Sequence, residues 1–272
     1  MKLNIVTSSY NDLYKLNKLI ETVNTYHNMQ LMYKKLLTDI QIHCYIKDDS
    51  LQYNQECILI ETKPSIYFYK IPNNGRCDYA FFIHLVKNYH THADKTIFVK
   101  INWFENDINL LELINDYFDY DYAHVGTHRI YIEWEADQGK FCNELSKNIE
   151  SFYKSTDNNH PSGFTYFSYY NKLYPTGPRP GFMPYWTNGP CFIVSKRLLL
   201  RHPIELYENM MNMFHFDENS DVVQRYRKIH PTMELDKIKL DFGIQVHELC
   251  GRFWKVFYTH QLPPMENLLI IT

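Results

Sequence analysis

The chain has 272 residues, a formal net charge of −3 at pH 7, 45% hydrophobic and 16% aromatic residues, and only 9 glycines. This composition is typical of a soluble globular protein that is long enough to bury an ordinary core, and it excludes collagen-like and disordered chains. The charges are spread evenly, with no Lys/Arg block that would hold a phosphate backbone. Nucleic acid is therefore not an expected partner.

The 6 cysteines are scattered singly, without a C-x-x-C pair, which favours buried, reduced thiols over a zinc ribbon or a redox motif. The first residues lack the apolar core of a signal peptide. No run reaches the roughly 18 apolar residues of a transmembrane helix. We expect a reducing, cytosol-like compartment, which would be the host cytoplasm for a viral protein. The sequence alone does not set an oligomeric state.

In the first half of the chain, short β-rich runs alternate with helical patterns, which is typical of βαβ units and a mainly parallel sheet. Strands are predicted at 2–8, 41–47, 66–71 and 96–102, and helices at 11–37 and 76–88. In the second half the pattern predicts helices at 110–118, 141–153, 197–214 and 242–258, strands at 122–127, 130–133 and 191–195, and a tail at 263–272. No repeat or long linker divides the chain, so one α/β domain with a mixed, mainly parallel central sheet flanked by helices is predicted.

A long segment rich in Pro, Gly, Tyr and Phe, residues 155–186, interrupts these elements. A connection of this length inside a compact domain is usually functional or disordered, and its aromatic content argues against a simple linker. We expect a structured wall or lid over a site.

Ligands in such sheets bind beyond the carboxyl ends of the strands, where loops and helix N-termini converge. Four polar segments follow predicted strands, at 7–12, 48–50, 72–76 and 100–103. The third contains Asn-Asn-Gly, a turn that tolerates positive φ, and leads to Arg76 and Asp78 in the first turn of a helix. A helix start with an Arg side chain favours an anion. A capped helix, in which Asp78 complements the dipole, explains the same pattern.

Lys100 and Asn102 alternate on the fourth predicted strand and are followed by Glu105 and Asp107. Carboxylates at a strand end can hold a divalent cation that bridges a diphosphate, so Glu105 and Asp107 are candidate metal ligands. A surface turn would also account for them. Asp119-Tyr120-Asp121 is an alternative carboxylate pair of the same kind.

Trp186, Asn188 and Gly189 precede an apolar strand. An aromatic face beside an amide suits a sugar ring, although an aromatic corner of the core would have the same composition.

Near the carboxyl terminus, His247 and Glu248 are adjacent ionisable groups, and Glu248 and Arg252 share one face of a predicted helix. Glu248 or Asp241 would be a general base if it lay near an acceptor hydroxyl. The spacing alone favours a structural Glu–Arg pair on one helix.

Five of these segments, in chain order, read V-T-S-S-Y-N, N-G-R-x-D, I-F-V-K-I-N, W-x-N-G-P-C-F-I-V and H-E-x-x-x-R-x-W. Together they resemble a GT-A glycosyltransferase. The similarity is greatest to rhamnan-synthesis-type transferases and to an uncharacterised glycosyltransferase-like family of fungi and large DNA viruses. It extends in patches over most of the chain, and residues 105–180 contribute little.

The resemblance implies that residues 1–105 bind a nucleotide-sugar donor and residues 106–272 bind a glycan or other hydroxyl acceptor. By position, the implied donor-binding residues are Thr7, Ser9, Asn11, Asp48, Arg76, Asp78, Lys100 and Asn102. The implied acceptor-binding residues are Trp186, Asn188 and Gly189. Lys100 and Asn102 occupy the place of the metal-binding D-x-D of many such enzymes, so a lysine ammonium would neutralise the leaving diphosphate. A requirement for Mn²⁺ or Mg²⁺ stays open.

The implied reaction is a single displacement at the anomeric carbon, with inversion and with a carboxylate as base. Glu248 is the first candidate for the base and Asp241 the second, while His247 would position the acceptor and Arg252 would hold Glu248 or the diphosphate. The alternatives are a non-catalytic module that binds a carbohydrate or nucleotide sugar on the same fold, and a structural scaffold.

Overall fold

The computed structural model describes residues 1–10, 14–33, 39–48, 56–60, 64–101, 114, 118–125, 191–215, 217–242 and 268–271. These residues form an α/β fold around one eight-stranded sheet. The strands are β1 (Lys2–Ser9), β2 (Asp39–Lys47), β3 (Glu56–Ile60), β4 (Ser65–Ile71), β5 (Lys95–Val99), β6 (Tyr122–Val125), β7 (Cys191–Ser195) and β8 (Leu268–Ile271). The described helices are α1 (Tyr14–Tyr33), α2 (Arg76–Lys87), α3 (Lys196–Leu199), α4 (Ile204–Asn212), α5 (Asp221–Ile229) and α6 (235–242).

The strand order is β3-β4-β2-β1-β5-β7-β6-β8. Parallel pairing joins β4, β2, β1 and β5, and it also joins β6 to β8. β3 pairs antiparallel with β4, and β7 pairs antiparallel with both β5 and β6. The α/β class and the mixed sheet are therefore confirmed, and the four parallel strands place their carboxyl ends along one edge.

Helices cover both faces of this sheet. On one face, α1 buries Leu16, Leu19 and Val23 in a cluster with residues of β1 and β2. On the other face, α2 packs against the sheet beneath α4 and α5, and its residues 77–85 are all buried. Burial on all sides explains why this helix is apolar around most of its circumference.

The predicted strands of the first half and the strands at 122–127 and 191–195 are present, with small shifts at their ends. The single helix predicted at 197–214 is wrong, because the chain forms α3 and α4 with a break at Pro203. Proline lacks an N–H and disfavours helical geometry in the residue before it, so it begins α4 instead of continuing α3.

The predicted tail at 263–272 is also wrong, since β8 pairs in parallel with β6. β3, α5 and the start of α6 had no predicted counterpart. The elements expected at 130–133 and 141–153 and the aromatic segment 155–186 lie outside the described residues.

Cys44, Cys77 and Cys191 are buried thiols and form no disulfide, as predicted. Within the parts of the chain that the structure describes, no helix is both long enough and apolar enough to span a membrane.

Candidate functional site

A pocket of about 280 Å³ opens at the carboxyl ends of the four parallel strands β1, β2, β4 and β5. Its lining residues are Ser8, Tyr10, Lys47, Asn73, Arg76, Cys77, Lys100, Ile101 and Leu240. Three of the four polar segments predicted to converge contribute to it directly. The second strand contributes Lys47, which immediately precedes the segment 48–50. The loops after these strands therefore meet at one place, as the parallel topology requires.

Lys47 is the buried cation of the pocket, alongside the buried lining residues Ser8, Cys77 and Ile101. Only 6% of Lys47 is exposed, and its Nζ donates a hydrogen bond to the Asn74 carbonyl oxygen at 3.3 Å. Burial lowers the pKa of Lys47, Cys77 and Asp78 act to raise it, and the positive charges of Arg76 and Lys100 lower it, so that the net pKa is about 8. The pKa falls because an ammonium in a poorly solvated site loses hydration.

The turn before α2 places the second cation. Gly75 has φ 53° and ψ 32°, and a Cβ on this residue would lie 1.8 Å from Cδ1 of Phe214. Only glycine fits both the left-handed backbone and the close approach, so the turn predicted from Asn-Asn-Gly is confirmed. Arg76 also has a positive φ, 52°, which is uncommon for a residue with a side chain. Such a conformation persists where the surroundings impose it, and here it sets the direction in which α2 begins.

The balance of charge in the pocket is positive. Lys47, Arg76 and Lys100 all line it. Asp78 is fully buried in the first turn of α2 and accepts a hydrogen bond from Cys77 Sγ at 3.8 Å. Asp78 is not among the lining residues, but it lies near enough to Lys47 to raise its pKa. The N-terminus of α2 adds partial positive charge, so the pocket is suited to an anion.

Two predicted donor-binding residues, Arg76 and Lys100, thus line the pocket. Thr7 and Ser9 are buried in β1, where side chains alternate between faces, and the lining residue of this strand is Ser8 between them. Within the described chain, Thr7 Oγ1 has no hydrogen-bond partner. The Asp48 backbone N–H donates to the Ile71 carbonyl oxygen at 2.9 Å and so extends the pairing of β2 with β4.

Asp241 lies on α6, next to the pocket residue Leu240. Its Oδ2 accepts a hydrogen bond from the Tyr226 hydroxyl at 2.7 Å. Burial, together with this hydrogen bond and the carboxylate charge, raises the pKa of Tyr226 above its ordinary value. The contact joins α5 to α6 close to the pocket rim and engages one oxygen of the predicted base.

Of the alternative pair of carboxylates, Asp119 is exposed, whereas Asp121 joins β6 to the start of α3. Asp121 accepts a hydrogen bond from Ser195 Oγ at 2.6 Å and pairs with Arg197. Burial acts to raise the pKa of Asp121, but the hydrogen bonds from Arg197 and Ser195 and the charges of Arg197 and Lys95 outweigh it, and the pKa is lowered. Asp121 is therefore engaged in structural contacts.

The remaining predicted site residues are Asn11, Asn102, Glu105, Asp107, Trp186, Asn188, Gly189, His247, Glu248 and Arg252, and they lie outside the described residues. Among the residues that are described, no group of three or more His, Cys, Asp or Glu side chains is arranged to hold a metal ion.

The sequence interpretation missed Lys47, and the signal was present: a lysine ends an otherwise largely apolar strand, directly before the first polar loop residue. It also missed Cys77 and Leu240, whereas the lining residues Ser8, Tyr10, Asn73 and Ile101 belong to polar segments that it singled out without assigning these four a binding role. In comparisons with known proteins, no protein-family model matches this chain and no curated protein matches it. The chemistry of the pocket therefore provides the basis for inferring a function.

Proposed function

We propose that this protein is a glycosyltransferase that moves a sugar from a nucleotide-sugar donor to a glycan or other hydroxyl acceptor, on a GT-A-like fold. The supporting observation is the cluster of Lys47, Arg76 and Lys100 in one pocket at the carboxyl ends of four strands. A nucleoside diphosphate that leaves the anomeric carbon develops negative charge on its oxygen, and fixed cations near that oxygen stabilise it. The resemblance of the sequence to GT-A enzymes points to the same class of ligand.

The pocket residues divide into phosphate-binding and apolar groups. The Arg76 guanidinium presents a planar fork of donors that matches phosphate oxygens, at the N-terminus of a helix that also favours an anion. Lys100 and Lys47 supply compact positive charges. Tyr10, Ile101 and Leu240 add apolar surface for the sugar or the nucleoside. A volume of about 280 Å³ suits a diphosphate with part of one of its substituents.

The proposed chemistry is a single displacement with inversion. The acceptor hydroxyl gives its proton to a carboxylate, its oxygen attacks the anomeric carbon, and the bond from that carbon to the diphosphate oxygen breaks as the nucleoside diphosphate leaves. Glu248 is the first candidate for the base. Asp241 is the second candidate. The Tyr226 hydroxyl donates a hydrogen bond to Asp241 Oδ2 and would orient the carboxylate, so that Asp241 Oδ1 would receive the proton.

Neutralisation of the diphosphate has two proposed sources. The resemblance implies that Lys100 takes the position of the D-x-D motif, and this residue lines the pocket, so the positively charged side chains of the pocket would neutralise the diphosphate directly. A Mn²⁺ or Mg²⁺ ion held by Glu105 and Asp107 would supply the same electrostatic stabilisation.

A thermal-shift screen against nucleoside diphosphates and nucleotide sugars, with and without Mn²⁺, tests donor binding. A ligand at a hundred times its Kd stabilises the native state by about 2.7 kcal/mol, which corresponds to a rise in Tm of roughly 5–10 °C in a chain of this size. Arg76→Ala should abolish the rise, while Arg201→Ala, at an exposed position away from the pocket, should retain it. A complete lack of response to every nucleotide would remove the basis for the donor site.

Donor hydrolysis then separates a transferase from a binding module. Active transferases commonly release some sugar to water, so nucleoside diphosphate should accumulate from the donor that binds. We expect this release to fall strongly in Glu248→Gln or Asp241→Asn without loss of donor binding. Binding without any turnover would favour the non-catalytic module.

A further inference from the structure

Lys47 is a buried cation whose partners do not balance its charge. Only 6% of the residue is exposed, and within the described residues its ammonium has one hydrogen-bond acceptor, the Asn74 carbonyl oxygen at 3.3 Å. No described carboxylate forms an ion pair with it. An ammonium group has three donors, so this arrangement leaves hydrogen-bonding capacity at a site that lines the pocket.

Such a charge is costly to keep without an anion nearby. Burying an ammonium removes its hydration, and a neutral carbonyl compensates only in part. Arg76 and Lys100 add repulsion, while Asp78 and Cys77 act in the opposite direction. The result is an amine whose pKa is about 8, so that it titrates in the mildly alkaline range. An oxyanion in the pocket would accept the remaining hydrogen bonds and supply the missing negative charge.

We propose that Lys47 is the proton-linked anchor for the diphosphate, so that the pocket takes up a proton together with its ligand under mildly alkaline conditions. This inference rests on the proposed function for the identity of the ligand, a diphosphate ester. It adds a binding residue, Lys47, and a pH dependence for the same site. Because linkage is reciprocal, a ligand that prefers the ammonium form also stabilises that form.

The size of the effect follows from the protonated fraction. With a pKa of about 8 for Lys47 in the free protein, the ammonium fraction falls from roughly three quarters at pH 7.5 to roughly one tenth at pH 9.0. When only the protonated form binds, the apparent Kd rises in inverse proportion to that fraction, which is about eightfold over this interval.

Other titratable or charged groups also line the pocket, namely Tyr10 from the end of β1, Arg76 and Cys77 from α2, and Lys100 from the segment after β5, and the buried Asp78 of α2 acts on Lys47 from beside it. The test therefore requires variants that separate their contributions from that of Lys47. Lys47→Arg keeps a permanent positive charge at the position, because a guanidinium does not titrate in this range. Cys77→Ser and Lys100→Arg leave Lys47 in place.

The experiment measures the Kd of inorganic pyrophosphate by calorimetry from pH 7.5 to 9.0, for the wild type and Lys47→Arg in parallel. Both proteins bind the same ligand, so the ratio of their Kd values at each pH removes the effect that the ionisation of pyrophosphate has on Kd. We expect the wild-type Kd to rise about eightfold relative to that of Lys47→Arg, with the same rise in Lys100→Arg. Cys77→Ser removes a group that raises the pKa of Lys47, and its Kd should still rise relative to that of Lys47→Arg. Calorimetry in two buffers of different ionisation enthalpy should also detect proton uptake on binding, which is lost in Lys47→Arg.

Lys47→Met provides a second test that does not depend on the fit of the arginine. It should fold, because it removes a buried charge, and its urea midpoint verifies this. It should bind pyrophosphate at least tenfold more weakly than the wild type. A pH-independent Kd ratio, unchanged binding by Lys47→Met, or no pyrophosphate binding to the wild type would each overturn the inference.

Turnover distinguishes this inference from the proposed function. Proton-linked pyrophosphate binding without hydrolysis of any nucleotide sugar would support Lys47 as the anchor and count against the transferase. Hydrolysis of a nucleotide sugar, together with a ratio of wild-type to Lys47→Arg Kd that does not change with pH, would support the transferase and exclude Lys47 as the proton-linked anchor.

Discussion

Acidification should destabilise this protein strongly, because three of its histidines are buried in the neutral form. His43 Nδ1 lies 3.0 Å from the Tyr69 hydroxyl, and His84 Nδ1 lies 3.1 Å from the Tyr45 hydroxyl. The rings of these two histidines meet edge to face, with their centroids 4.6 Å apart. Burial, with a smaller contribution from Lys2, lowers the pKa of His43 to about 3.

The other two histidines behave in the same way. Burial lowers the pKa of His92 to about 4, with repulsion from Lys196 and His90 as lesser causes. Burial also lowers the pKa of His84 well below its ordinary value, with smaller lowering by His43, His92 and Lys87. In the native state His43 and His92 therefore stay neutral until the pH falls to about 4 or below, and the pKa of His84 is depressed in the same direction.

The sign of the effect follows from proton linkage. In the unfolded chain each histidine titrates near pH 6.5, so between about pH 6.5 and 4 the unfolded state binds more protons than the native state. The free energy of unfolding consequently falls as the pH falls. For one such histidine the loss between pH 7 and pH 5 is roughly 2 kcal/mol, and for His43 and His92 together it is roughly 4 kcal/mol, to which His84 adds in the same direction. A loss of that size is a large part of the entire stability of a typical domain, about 5–15 kcal/mol.

Urea unfolding followed by circular dichroism, in steps of half a pH unit from 7.5 to 4.5, measures this dependence. His43→Phe keeps an aromatic ring against Tyr67 and Tyr69, which stack on His43 at centroid distances of 4.9 and 5.8 Å. It should reduce the pH slope of the unfolding free energy near pH 5 by about 1.4 kcal/mol per pH unit, the contribution of one proton. The control is His230→Gln, at an exposed position.

Two results would refute the reasoning. One is an unfolding free energy at pH 5 that lies within about 1 kcal/mol of its value at pH 7, since even one neutral buried histidine should cost more. The other is an equal loss of slope in His43→Phe and in the exposed control.

Three further predictions concern contacts that stabilise the fold. Gly75→Ala should lower the unfolding free energy by roughly 1–3 kcal/mol, because its Cβ would lie 1.8 Å from Phe214 Cδ1 on a backbone with positive φ. Urea titration measures the loss, and the double variant with Phe214→Ala should show a less than additive effect if that contact is the cause. Asp121→Asn should cost about 0.5–1.5 kcal/mol, since it weakens the hydrogen bond from Ser195 Oγ and the pair with the largely exposed Arg197, and an unchanged urea midpoint would contradict this. Deletion of residues 264–272 removes β8 and exposes the edge of β6. Tm should therefore fall, and light scattering on heating should rise because an exposed strand edge favours aggregation. An unaltered Tm would show that β8 does not stabilise the sheet.

The predicted parts of the fold depended on local signals. Alternation and β-branched residues marked the strands β1, β2, β4 and β5, and Asn-Asn-Gly marked the turn at Gly75 that begins α2. Side chains that repeat every two or about 3.6 residues face the same side of an element, so a window of the sequence is enough to recognise them. The rule that ligand sites lie at the carboxyl ends of parallel strands then pointed to the edge of the sheet at which the pocket lies.

The errors arose where the outcome depended on distant parts of the chain. β8 is four residues long and becomes a strand only because β6, far away in the sequence, offers its edge. Asp121, which the sequence presented as half of a carboxylate pair, is engaged by Ser195 and Arg197 more than 70 positions away.

The sequence by itself thus determined the class of fold, most strands of the sheet and the edge at which polar loops meet, because short-range periodicity and parallel connectivity carry that information. Only the tertiary structure decided which polar residues become chemically distinctive. The depression of the Lys47 pKa depends on the burial of its ammonium among α2 and the segment after β5, and Leu240 reaches the same pocket from α6. Solvation and electrostatic interaction are set by distance in space, and neighbouring positions in the sequence do not encode that distance.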